Sequence, residues 1–286
     1  MKSTTTTTMT FPQEKVPYAD PSIPQIPLSL KASYQSSWSK LLCSGSKGLL
    51  LEPTTSTASP TTDNSYKVSL PGGYSGSIIL DYASPSSSPS SSNSIPAPLA
   101  RAIPAGRRGY EVLLPDSGCA ENMRRVSRKN VWWFALSVGP GGQDEAIETF
   151  QWRRSRGSEI KQLGASWRGW KLVRMGKGGV EERGSGDGES LPRYSSEDEK
   201  GADEEEGLGD ENEEVVAVWA RTGSWTSLHD IGLFAFLGSG ATGELGQRFA
   251  VMALMTSLCI WQKAARDQAT MGAVTAASST TSVVVT

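Results

Sequence analysis

The thirteen residues Phe249–Trp261 (FAVMALMTSLCIW) are apolar on every side of a helix, with only Thr256 and Ser257 polar among them. A helix without a polar stripe has to be enclosed by protein or by lipid. At ~1.5 Å per residue the run is about 20 Å long, short of the ~30 Å hydrocarbon layer of a membrane. Enclosure by the protein is therefore expected, and the rest of the chain has to supply the walls. The flanks suit a helix over about 242–266. Thr242 can cap it, Glu244 sits in its first turn, and Lys263 and Arg266 lie in its last, each favourable to the helix dipole.

The walls read as strands. Tyr34–Leu51 holds a first strand or short helix, and Tyr66–Leu70 and Ser77–Tyr82 flank a Pro-Gly-Gly turn. Tyr110, Val112 and Leu114 alternate with other residues. VWWFALSV (131–138) is continuously apolar and closed by GPGG, which predicts a strand covered on both faces. Phe150 and Trp152, then Trp170 and Leu172, alternate with polar residues or Val173, and VVAVWA (215–220) and IGLFAFL (231–237) complete the set. Short strands separated by glycine-rich turns, without helical patterns between them, predict a mostly β fold. The expected architecture is an antiparallel barrel or curved sheet enclosing one hydrophobic C-terminal helix.

The remainder is poor in packing residues. The apolar fraction of 37% lies below the ~45–50% of a fully globular chain. Residues 1–30 are rich in Thr and Pro and read as a disordered lead-in, and 267–286 as a disordered tail. Between them a single β domain spans 31–266, interrupted by a Ser/Pro loop at 84–98 and a disordered acidic insertion at 176–214. The net charge of −2 conceals a strong asymmetry. Residues 101–177 carry 15 Lys or Arg against 7 Asp or Glu, and residues 178–214 carry 3 against 15. Cys43, Cys119 and Cys259 are few, odd in number and far apart, which suits a reducing compartment. The N-terminus shows no apolar signal sequence and few arginines. The expected location is intracellular, cytoplasmic or nuclear, or peripheral at a membrane.

FQWRRSRGSEIKQL, GWKLVRM, EVVAVWA and FLGSGATGELGQRFAVMALMTSLCIW together resemble a group of uncharacterised fungal proteins. More distantly they are similar to the tubby C-terminal-like (LURP-one-related) fold. The closer resemblance covers roughly residues 108–266. The tubby-like similarity implies a closed antiparallel barrel around a hydrophobic helix, and phosphoinositide binding through basic surface residues. No individual residue is carried over from it.

Several motifs bear on function. Gly238–Gly246 (GSGATGELG) fits GxGxxG between an apolar strand and a helix, the setting of a dinucleotide fingerprint, so Gly238, Gly240 and Gly243 are candidate anion binders. Against a nucleotide site, only 40 residues follow Gly246, no acidic residue ends the next strand, and no βαβ alternation precedes it. A tight strand-to-helix turn is the expected reading. His229 is the single histidine, with Asp230, Asp116 or Asp144 as conceivable orienters, and none of the cysteines sits in a nucleophile motif. No catalytic residues, metal ligands or cofactor are assigned. Arg153, Arg154, Arg156, Lys171 and Arg174 interleave with Trp152 and Trp170 and are the candidate ligand-binding surface. Period-two alternation would put the tryptophans inward and the arginines outward.

The expected function is a non-enzymatic binding or adaptor domain that reads an anionic, phosphoinositide-like headgroup or a protein partner; nucleic acid is not expected. The alternatives are a nucleotide-dependent enzyme using the Gly238–Gly246 turn, and membrane insertion through 231–261. Glu244, Arg248 and the interrupting glycines Gly238, Gly240, Gly243 and Gly246 disfavour the latter, and no transmembrane span is expected.

Overall fold

The computed structural model describes residues 26–35, 47–54, 65–83, 97–106, 109–114, 120–126, 130–139, 146–164, 168–175, 213–221 and 230–279. Twelve strands follow one another around a barrel: β1 (Ser29–Tyr34), β2 (Lys47–Pro53), β3 (Ser65–Leu70), β4 (Ile78–Ala83), β5 (Ala100–Pro104), β6 (Gly109–Leu113), β7 (Ala120–Val126), β8 (Val131–Val138), β9 (Ala146–Ser155), β10 (Gly169–Met175), β11 (Glu214–Ala220) and β12 (Asp230–Phe236). Each strand pairs antiparallel with its sequence neighbours, and β1 also pairs with β12, which closes the barrel. Closure leaves no unpaired edge. Among the described residues three α-helices accompany the strands: α1 (Ser158–Gln162), α2 (Gly238–Thr242) and α3 (Gly246–Ser279).

The antiparallel barrel around the apolar helix is as the sequence implies. Phe249 and the run Val251–Gln262 are buried, enclosed by the inward side chains of the strands. Phe249 packs 4.8 Å from the Phe150 ring and 6.4 Å from Phe236, while Phe150 stacks on Phe134 at 5.3 Å. Several polar groups of the buried helix find partners. Trp152 Nε1 donates to Thr256 Oγ1 at 2.9 Å, and Ser257 Oγ donates to the Leu254 carbonyl at 2.7 Å. Gln262 Nε2 donates to the carbonyls of Gly73 (3.3 Å) and Gly76 (3.0 Å), in the tight turn that joins β3 to β4. The helix thus runs from one end of the barrel, where α2 precedes it, to the other. These are called the proximal and distal ends below.

The outer face carries charged side chains beside apolar ones, with Leu113 and Ile147 among the exposed. Lys67, Arg101, Glu111 and Arg124 occupy exposed outward positions between buried ones. Among the described residues no helix is long and apolar enough to cross a membrane, and β12 together with the apolar run of α3 belongs to the barrel and its core.

Several local expectations differ from the structure. α3 begins at Gly246, so Thr242 does not cap it; its hydroxyl instead donates to the Ser239 carbonyl within α2. Glu244 lies in the turn between the two helices, and α3 continues to Ser279, past Arg266. β8 alternates strictly between buried and half-buried residues, so VWWFALSV is covered on one face rather than both. β1 starts at Ser29 with Ile26 and Leu30 buried, so the packed domain reaches into the Pro-rich lead-in. β5 and β7 escape the pattern reading because ARAIP and AENMRRV carry few β-branched or aromatic residues. The acidic insertion from 176 to 212 lies outside the described residues.

Candidate functional site

The five cations singled out from sequence do not form one patch. In β9, Glu148, Phe150, Trp152 and Arg154 share the inward-facing parity, with Arg153 on the outer side. Arg174 pairs in register with Phe150, so it also faces inward. Trp inward and Arg outward therefore holds at Trp152 and Arg153 and fails at Arg154 and Arg174, which sit at opposite ends of the barrel.

At the proximal end Arg174 is the centre of a charge cluster. Its Nε lies 2.5 Å from Glu148 Oε2 and its Nη2 2.8 Å from Glu148 Oε1, a bidentate pair in which the Glu148 side chain is 6% exposed. Arg174 Nη1 also reaches Glu214 at 3.4 Å, the Ser239 hydroxyl at 3.3 Å and Glu244 at 3.6 Å. Hydrogen bonding to Glu148, foremost, holds the guanidinium charged beyond its ordinary range, against the opposing effect of burial. A second pair, Arg248 to Glu121 at 2.5 Å, ties the start of α3 to β7.

This cluster also fills the glycine-rich turn. Glu214 Oε1 accepts from the Ser239 backbone N–H at 2.5 Å, and Glu214 Oε2 accepts from the Ser239 hydroxyl at 2.9 Å. The anion at the first turn of α2 is thus a carboxylate of the chain itself. A Cβ on Gly240 would run into the Val216 carbonyl oxygen, so this glycine lets α2 lie against β11. Gly243 takes φ 79° to turn the chain from α2 into α3. Gly238, the first residue of α2, packs against the Glu214 carboxylate. The three glycines serve close packing, as expected of a tight strand-to-helix turn.

On the outer face Arg153 is held by Glu213 at 2.7 Å and by Gln151, with Nε at 3.1 Å and Nη2 at 3.0 Å. Lys171 lies beside it in register across β9 and β10. The last two residues of the acidic insertion, Glu213 and Glu214, therefore pair with Arg153 and Arg174. Of the predicted set, only Arg154 and Arg156 reach the distal end.

The distal end carries a different arrangement. Arg154 lies with its guanidinium 5.4 Å from the centroid of the Trp170 ring, its register partner on β10. Arg125 lies 5.8 Å from the Trp132 ring, its register partner on β8. Two cross-strand Arg–Trp pairs thus repeat along β7, β8, β9 and β10. Stacking fixes the guanidinium planes while leaving N–H edges for acceptors. Exposed Arg124, Arg156, Arg168 and Arg221 lie at or just beyond the same strand ends. Two nearby carboxylates are already engaged: Asp230 with Lys31 at 2.9 Å, and Asp267 with Lys263 at 2.5 Å. Arg125 belongs to the basic run before VWWFAL but is not in the candidate set, because β7 carries no apolar alternation and register alone sets it over Trp132.

Beside Arg125 an open-sided cavity of about 340 Å³ is lined by Tyr110, Asn122, Met123 and Arg124, among others. Tyr110 is 2% exposed, and burial foremost holds its hydroxyl protonated well above the ordinary phenol range. Its hydroxyl has no hydrogen-bond partner, nor does Arg125 Nε, whose Nη2 donates to Asn130 at 2.6 Å. His229, Cys43, Cys119, Asp116 and Asp144 lie outside the described residues. Among the described residues no group of three His, Cys, Asp or Glu could hold a metal ion. Compared with protein-family models, with curated proteins and with solved structures, the chain matches none.

Proposed function

We propose that the protein is a non-enzymatic binding module that docks through the distal rim of its barrel onto an anionic surface, a phosphoinositide-like headgroup foremost. The observation that carries this reading is the repeated Arg–Trp pairing at Arg125/Trp132 and Arg154/Trp170 on one end of the molecule. The helix and the inward side chains occupy the barrel interior, so a ligand has to be met at the rim. Basic side chains near an anionic membrane are worth about 1 kcal/mol each, and the indoles suit the headgroup level. The tubby-like resemblance expected from the sequence points the same way, and an intracellular, peripheral location fits it.

The reading is tested by flotation of the full chain with neutral and with phosphoinositide-containing vesicles, at low and physiological salt. Binding to the anionic vesicles alone, weakened by salt, is the expected result. Arg154→Glu changes the rim by two charge units and should weaken it roughly thirtyfold, by the same per-charge worth. Binding to neither vesicle would sink the headgroup reading and leave the rim to a protein partner.

A further inference from the structure

We propose that the end of α3 beyond the distal rim enters the interface of the anionic membrane on which the rim docks. This rests on the docking proposed above and extends it, because α3 leaves the barrel at that same end. Trp261 packs against Tyr34 and Tyr74, and Gln262 is bonded to the β3–β4 turn, so residues 261–262 mark the level of the rim. The helix does not stop there. Residues 267–271 are exposed, Met271 by 72%, and α3 runs on to Ser279. At ~1.5 Å per residue, the stretch from Asp267 to Ser279 reaches about 20 Å past the rim. The headgroup layer on each side of a bilayer is only about 5–8 Å deep. A membrane that touches Arg125 and Arg154 therefore meets the helix as well. The same reach falls short of the ~30 Å hydrocarbon core, so the helix enters the membrane without crossing it.

The chemistry of this stretch suits entry. Arg266 is the last cation of the chain, and 268–286 carries no charged side chain. Asp267, the one acid beyond the rim, is held by Lys263 at 2.5 Å. Thr270 donates its hydroxyl to the Arg266 carbonyl at 3.0 Å, so it keeps a partner when water is withdrawn. A helix satisfies its own backbone in the same way, which is the condition for leaving water for lipid.

The test places an environment-sensitive fluorophore on the full chain at Met271→Cys, with Cys43→Ser and Cys119→Ser. Cys259 is fully buried and escapes labelling. A second protein carries the label at Glu52→Cys, an exposed position at the proximal end. The probes are phosphatidylcholine vesicles with and without phosphatidylinositol bisphosphate, and flotation is read on the same samples. The label at 271 should shift to the blue on the phosphoinositide vesicles alone. Lipids brominated high on their acyl chains should quench roughly half of its emission, given the ~5–10 Å depth that interfacial helices reach. The label at 52 should do neither. Vesicles that float the protein while the 271 label stays in water would overturn the insertion and leave rim docking standing. Absence of flotation would overturn both. A blue shift on both kinds of vesicle would show entry without the rim and would likewise overturn the proposal.

Discussion

Leu254→Asp should abolish the folded barrel. Leu254 is fully buried in the middle of the apolar run of α3, surrounded by inward side chains of the strands. Truncating a core leucine to alanine already costs about 2–5 kcal/mol. An unpaired carboxylate at the same place adds the cost of burying a charge, several kcal/mol more after relaxation. The sum rivals the ~5–15 kcal/mol that a domain has in total. Limited proteolysis and near-ultraviolet circular dichroism should therefore show an unfolded, protease-sensitive chain, while Leu254→Met stays folded within about 1.5 kcal/mol of the parent. A folded, protease-resistant Leu254→Asp protein would mean that the helix is not enclosed.

The second large effect is expected at Arg174. Arg174→Ala leaves Glu148 buried without its bidentate partner and removes a cation that also faces Glu214 and Glu244. Breaking a buried pair from one side costs about 3–5 kcal/mol, and the low end applies here because Arg174 keeps a 22% exposed side chain. Urea denaturation should show a loss of about 3 kcal/mol. Removing both charges, as Arg174→Met with Glu148→Leu, should recover most of it, because no stranded charge remains. A double variant as unstable as Arg174→Ala would show that the cluster stabilises through more than this pair.

The sequence made the fold legible because one run, Phe249–Trp261, could be satisfied in few ways, and because strands such as β6, β9 and β12 carry clear apolar patterns. The same reasoning failed where register decides. Arg154 and Arg174 carry the parity of buried residues, yet each sits at a strand end where an inward side chain opens to solvent, one into carboxylates and the other over an indole. Linear spacing could not reveal that Arg125 lies over Trp132 or that Tyr110 and Arg125 meet at one cavity, since those pairings arise only when β6, β7 and β8 align. The glycine motif was ambiguous for a related reason: Glu214, which fills the turn, comes from a strand 24 residues before Gly238.

The enclosed helix is tested most directly by native-state hydrogen exchange of the full chain. Amides of 249–262 should exchange last, together with those of β8 and β9, and only through global unfolding, while exposed 267–271 exchange far sooner. Exchange of 249–262 on the timescale of 267–271 would contradict a helix held inside the barrel.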